Sequence, residues 1–272
     1  MLKKITQRNG NTSEFIYDGL RIGSLTEKKS DDTVINAFAY SYDNNGNQET
    51  RTEQQGSNPA VTNNFHYDPL NRVSTSDQFN ESYGYDNRGN RNSMSTSKPF
   101  ESPDSTRTYD KRDRLTNVAL TGSGNVSYRY NGDGLLYERT ENGQTTRYYW
   151  DGDQVIAEAN VVSGVATLKA RYVRGQGLIA REDKQGKSYY LQNGHGDVVN
   201  LMDSTGTTKL NSYQYDIWGN IVSQQENLPQ SFKYSGEMQD STTGLQYLRA
   251  RWYDPSMGRF VGEDSVTGQV YA

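Results

Sequence analysis

A Tyr-Asp dipeptide returns along this chain at an interval too long for one strand and too short for a domain. It occurs at Tyr17-Asp18, Tyr42-Asp43, Tyr67-Asp68, Tyr85-Asp86, Tyr109-Asp110, Tyr215-Asp216 and Tyr253-Asp254, with variants at Tyr130-Asn131 and Trp150-Asp151. From Tyr17 to Trp150 the successive steps are 25, 25, 18, 24, 21 and 20 residues. That length accommodates two short strands and two turns, and a recurring period of this kind marks a repeat array.

Each dipeptide opens a turn. Asp43-Asn-Asn-Gly46-Asn47, Asp86-Asn-Arg-Gly89-Asn90, Asn131-Gly-Asp-Gly134-Leu135 and Asp216-Ile-Trp-Gly219-Asn220 share one logic. The first side chain bonds amides two residues on, and glycine takes the left-handed position. Upstream, aromatics fall two residues apart, as in Phe65/Tyr67, Tyr83/Tyr85, Tyr128/Tyr130 and Tyr213/Tyr215, so each pair points to one face of a strand. Stacked through successive hairpins, these rings would form a ladder. No window keeps an i, i+3, i+4 apolar pattern for three turns, and 26 glycines punctuate the sequence. The expected fold is all-β: antiparallel hairpin repeats winding into a curled sheet or partial shell.

Composition bears on what such a sheet can bury. Only 32% of the 272 residues are hydrophobic and the mean hydropathy is -0.97, values that by themselves suggest disorder. Tyrosine changes the reading: 21 Tyr accompany 7 Phe and 3 Trp, and each ring can bury about 200 Å². The net charge of -4 and the lack of a Lys/Arg run argue against nucleic acid as a partner. No window approaches the roughly eighteen apolar residues of a spanning helix, so no membrane insertion is expected. The basic start Met1-Leu-Lys-Lys has no apolar stretch behind it and does not read as a signal peptide. With no cysteine there is no thiol or disulfide chemistry.

The densest motif lies near the end: Asp240-Ser-Thr-Thr-Gly244-Leu245-Gln-Tyr247-Leu-Arg249-Ala-Arg251-Trp252-Tyr253-Asp254-Pro255-Ser-Met-Gly258-Arg259-Phe260. Two turns, Asp240 to Gly244 and Asp254 to Gly258, bracket a β-prone stretch. Period two puts Leu245, Tyr247, Arg249 and Arg251 on one side and Gln246, Leu248, Ala250 and Trp252 on the other. The arginines would then stack on rings, pair with an aspartate, or lie on a solvated face.

This stretch resembles the core-associated motif of RHS/YD-repeat proteins, and the dipeptide array resembles their repeats. The resemblance implies a β-shell whose core-associated segment closes one end. In bacterial members the shell encloses a C-terminal toxin released by self-cleavage, and related animal shells serve adhesion. On this basis residues 1–231 are the repeat array and 232–272 the closing segment of one continuous domain. The implied role is a structural, encapsulating module of a larger protein that is secreted or at the cell surface. The partner would be a toxin cargo encoded downstream.

The family's self-cleavage uses aspartates in and after the core segment. Asp264 matches the first of these, with Ser265 where proline is common, and Asp240 or Asp254 is its local candidate partner. The second motif and the cut are expected beyond Ala272, so the chain is expected not to act as an enzyme. The alternatives are a self-processing aspartyl protease segment and a glycan-binding or adhesion module, in which Trp150 or Trp218 would face sugar rings.

Other signals are weaker. Asp203-Ser204-Thr205-Gly206 has an aspartic-protease look in a hairpin setting. Gly186-Lys187-Ser188 lacks the glycine a phosphate-binding loop needs, since Arg181 stands there. His195 sits between glycines as in a turn, and only His66 accompanies it in the chain. Asn131-Gly-Asp133-Gly134 and Asp151-Gly152-Asp153 are oxygen-rich but lack the full calcium-loop spacing. Neither metal nor cofactor is expected.

Overall fold

The computed structural model describes residues 1–122, 124–175 and 177–263. Its strands are antiparallel and pair in chain order, as a string of hairpins requires. The chain divides into two units. One comprises residues 1–99 with the loops 193–195 and 205–209, and the other comprises residues 100–192, 196–204 and the chain from 210 onward.

The first nine strands, β1 (Lys4–Thr6) to β9 (Arg91–Ser95), form one ordered array. A second, of twelve strands, runs from β10 (Ser105–Tyr109) to β21 (Ile221–Glu226). A four-stranded sheet follows: β22 (Met238–Gln239), β23 (Gln246–Leu248), β24 (Arg251–Asp254) and β25 (Arg259–Phe260). The described residues contain no α-helix, only a 3-10 turn at Tyr234–Gly236, and no helix long and apolar enough to cross a membrane.

After six of the dipeptides the turn is the same device. The Asp86 carboxylate accepts from the N–H groups of Arg88 (2.9 Å) and Asn90 (2.8 Å), and its second oxygen accepts from the Asn90 amide (3.0 Å). Asp43 and Asp216 do the same with Asn47 and Asn220, while Asp68 and Asp110 bind Arg72 and Arg114. Asn131 keeps the two backbone bonds alone. The residue three after the acid has positive φ: Gly46, Asn71, Gly89, Asp113, Gly134 and Gly219. Such a turn closes a hairpin whose strands continue in antiparallel register.

Just before the turn, the register slips at each ring: between Ser41 and Tyr42, His66 and Tyr67, Gly84 and Tyr85, Thr108 and Tyr109, Arg129 and Tyr130, Tyr149 and Trp150, and Gln214 and Tyr215. A bulge interrupts the strand ladder and leaves backbone groups to be satisfied otherwise. The rings supply the donor. Tyr42, Tyr67 and Tyr85 donate their hydroxyls to the carbonyls of Ile22, Gln48 and Val73 at 2.9, 3.0 and 2.7 Å. In the second unit Tyr130 donates to Leu115 (2.6 Å), the Trp150 indole to Leu136 (2.7 Å) and Tyr215 to Val198 (2.8 Å). All six acceptors stand opposite the bulge residue of an earlier hairpin, so each of these rings ties its hairpin back to one already laid down.

The expected ladder of rings is therefore a ladder of phenol-to-carbonyl bonds. Arginines are interleaved: Arg72 lies 4.3 Å from the Tyr85 ring and Arg114 4.8 Å from the Tyr130 ring. Tyr83, Tyr128, Tyr148, Tyr172, Tyr189, Tyr190, Tyr213, Tyr215 and Tyr247 are buried, as an aromatic core demands. The second unit holds a contiguous apolar cluster, to which Phe232, Met238, Leu245, Tyr247 and Trp252 contribute.

Gly219 shows where the turn meets packing. Its φ is +90°, and a Cβ there would come within 2.7 Å of the Tyr234 ring, whereas at Gly89 (φ +85°) the nearest atom would be 3.8 Å away. Gly89→Ala should cost about 1–2 kcal/mol, the left-handed penalty alone. Gly219→Ala should cost at least about 2 kcal/mol more, because overpacking is added. Denaturant midpoints of the two variants check this, and equal costs would contradict it.

Candidate functional site

Residues 238–260 form the site to which the sequence points. The strand expected to run through 245–252 is instead broken. Arg249 has φ +58°, and the Ala250 N–H bonds the Leu248 carbonyl (2.8 Å), so a tight turn joins β23 to β24. Tyr247 then pairs with Trp252 across the hairpin, and Arg249 does not share the face of Tyr247. An external pair fixes the turn: the Arg249 guanidinium meets Glu237 at 2.6 Å and donates to the Asp153 carbonyl at 3.2 Å. Arg251 lies 3.8 Å from the Phe260 ring, so its role is ring stacking.

Asp240 is the best-connected of the candidates. It caps the turn through the N–H groups of Thr242 (2.9 Å) and Thr243 (3.1 Å), and Gly244 closes the turn at φ +72°. Its carboxylate also accepts from both Nε (2.6 Å) and Nη2 (3.1 Å) of Arg139, a bidentate pair, and from the Tyr128 hydroxyl (2.8 Å). Arg139 lies on the strand Leu136–Glu141, about a hundred residues earlier, and also pairs with Glu141 at 2.8 Å. Burial pushes the Asp240 carboxyl up, but Arg139, the Thr243 N–H and the Tyr128 hydroxyl outweigh it and hold the group below the ordinary carboxylate range.

Asp254 repeats the arrangement elsewhere. It accepts from Arg107 (2.9 Å), from the Ser102 hydroxyl, and from both the N–H (3.1 Å) and hydroxyl (2.6 Å) of Ser256. Burial raises its pKa, and Ser102, Ser256 and Arg107 more than offset this. Asp240 and Asp254 share none of these partners, and each faces its own arginine. Asp264 lies outside the described residues.

The remaining motif residues knit this sheet to the wall. The Tyr247 hydroxyl accepts from the Leu136 N–H (2.8 Å), the Trp252 indole donates to the Tyr130 hydroxyl (2.9 Å), and Tyr253 donates to the Trp218 carbonyl (3.0 Å). The Pro255 carbonyl accepts from the Asn220 amide (3.0 Å) and from the Gly258 N–H (3.2 Å), and Arg259 stands opposite Asp254 in the β24–β25 register. Tyr109, of the first Tyr-Asp dipeptide in the second unit, donates to Val261 of this segment (2.6 Å). Trp150 and Trp218 are both partly buried.

The weaker signals resolve as turns. Asp203 to Gly206 link two strands, with Gly206 at φ +75°; Asp183 and Gly186 pair across a hairpin; and the His195 N–H bonds the Asn193 side chain at 3.0 Å. Arg139 and Arg107 carried no signal in the sequence, and Tyr128 stood out only as a strand aromatic, because their acidic partners lie more than a hundred positions away.

The model of the Teneurin YD-shell matches residues 2–271. The chain belongs to the Teneurin YD-shell family. Among curated relatives, tRNA nuclease WapA of Bacillus subtilis is 34% identical over 253 residues, covering 90% of this chain and 10% of WapA. Probable deoxyribonuclease RhsB of Dickeya dadantii is 25% identical over 167 residues, 58% of this chain and 12% of RhsB. The YD-shell chain thus spans about a tenth of the length of these relatives. The Tc holotoxin pore of Photorhabdus luminescens superposes with a TM-score of 0.78 at 18% identity, over 96% of this chain and 17% of that one, a likeness of fold.

The two acids set an acid limit on stability. Their folded pKa values are lowered, so their stabilisation is present above the unfolded value of about 4 and is lost as pH falls through the folded values. Asp240→Ala should cost about 3–5 kcal/mol at pH 7 by leaving Arg139 without its buried partner. The variant should also lose less than the wild type between about pH 5 and pH 2. Thermal melts across that range check both, and a parallel pH profile would contradict the assignment.

Proposed function

We propose that this YD-shell chain is a stretch of wall with its closing segment, belonging to a longer toxin-type protein, and that the assembled shell sequesters a polypeptide carried in that same protein. The observation that carries this is the docking of residues 238–260 onto the wall. Two buried Asp–Arg pairs, a Tyr–Trp–Tyr cluster and the Tyr247 and Tyr253 contacts anchor this segment to strands far away in sequence. Such a segment is built to stay in place. The names of the relatives, a tRNA nuclease and a deoxyribonuclease, fit a wall that keeps a harmful domain apart from the cell that makes it. On this reading the whole protein acts outside its producer.

In this role the described part of the chain has no chemistry of its own. Asp240 and Asp254 work as ion-paired anchors, since a proton-sharing carboxylate pair requires two acids close together with one pKa raised. Both are lowered here.

Limited proteolysis of the full-length protein tests the sequestering role. Residues beyond this chain should resist protease in the wild type and become sensitive in Asp240→Ala. Equal digestion of both, at the rate of the free downstream segment, would contradict it. Intact-mass measurement tests the anchor role: the purified 272-residue chain should keep its full mass, and cleavage abolished by Asp264→Asn would overturn that reading.

A further inference from the structure

One repeat departs from the pattern. At the end of the strand Val165–Arg174 the register slips between Val173 and Arg174, as it does before each ring, but the residue in the ring position is Arg174. Its Nε donates to the Val155 carbonyl at 2.9 Å. Val155 stands opposite Trp150, so this is the tie that Tyr130 and Trp150 make in their own hairpins. Arginine thus reproduces the structural bond and adds a charge that bond does not need.

The added charge feels Glu237 but makes no ion pair among the described residues. Arg72 and Arg114, which also lie against rings, are each held by an aspartate of their own turn at 2.6 Å. Arg174 lies 4.8 Å from the Phe232 ring, which fixes its plane, yet its two terminal nitrogens meet no acceptor among the described residues. Burial holds its pKa below the ordinary guanidinium value. A cavity of about 170 Å³ opens beside it, with Trp150, Phe232, Arg249 and Glu237 in its lining. Glu237 is committed to Arg249 at 2.6 Å, and Asp153, also in the lining, is solvent-exposed with no cation within ion-pair distance among the described residues. A cavity of about 150 Å³ takes a molecule the size of benzene. This one therefore has room for a small organic acid or for one acidic side chain.

The structure assigns this cavity as a binding site for a carboxylate, received by the free fork of Arg174. A guanidinium plane held on an aromatic face and presenting two parallel N–H groups matches a carboxylate in bidentate geometry. Trp150, partly exposed in the lining, offers apolar surface to the body of the ligand. The carboxylate belongs either to a free acid or to an Asp or Glu side chain of a polypeptide.

Calorimetric titration of the chain with succinate, with inorganic phosphate and with a short Glu-containing peptide separates these sources. Saturable binding of succinate or of the peptide is expected, with at least tenfold weaker binding in Arg174→Tyr. That variant restores the repeat's own ring, so its thermal midpoint should match the wild type. Should Arg174→Tyr fold poorly, Arg174→Gln keeps a side-chain N–H for Val155, removes the charge and should show the same loss. Succinate binding assigns a free acid, and binding of the peptide alone assigns a polypeptide side chain. Absence of saturable carboxylate binding, binding of phosphate alone, or carboxylate binding unchanged in both variants would overturn the proposal.

Discussion

The hydrogen bond from a ring at the end of one hairpin to a carbonyl of an earlier hairpin is what the rest of this structure depends on. The bulge at each of these rings disrupts the strand ladder, and a disrupted ladder leaves buried backbone groups that cost free energy unless paired. Tyrosine can reach across and donate while burying its ring, which phenylalanine cannot. The aspartate that follows then bends the chain by binding its own turn. Where this bond is made, one dipeptide bends its hairpin and binds it to an earlier one, and a chain with only 32% hydrophobic residues can still build successive hairpins into a sheet.

The same bond explains how the closing segment is received. Tyr130 uses its hydroxyl twice, donating to Leu115 and accepting from the Trp252 indole. Tyr128, two residues earlier and facing the core, donates to Asp240. A hairpin built for wall-to-wall bonding thus offers a ready surface to residues 238–260. The ion pairs Asp240–Arg139 and Asp254–Arg107 fix register more than they add affinity, because desolvation offsets much of the attraction in a buried pair.

The repeats were readable because each encodes its turn locally: acid, glycine or asparagine, and ring occur within a few residues of Tyr67, Tyr85 and Tyr215. The closing motif was readable as a block for the same reason. Its internal geometry was not. Period two alone extends a strand through Arg249 and Ala250, and only the contacts of Arg249 with Glu237 and Asp153, remote in sequence, show why the chain turns there. Arg139 and Arg107 were invisible because nothing around them marks a partner more than a hundred residues away. Arg174 escaped notice because it lacks the ring that identified its neighbours, although it occupies their place and makes their bond.

Removing the phenol hydroxyls one at a time measures most directly what holds successive hairpins together. Equilibrium unfolding of Tyr85→Phe and Tyr215→Phe, beside Tyr137→Phe as a control whose hydroxyl makes no bond within the described residues, isolates the hydroxyl from the ring. A loss of about 1–2 kcal/mol in each of the first two, with the control unchanged, is the predicted result. Phenylalanine tolerated equally at all three positions would show that ring burial alone holds the hairpins together, and would contradict the account.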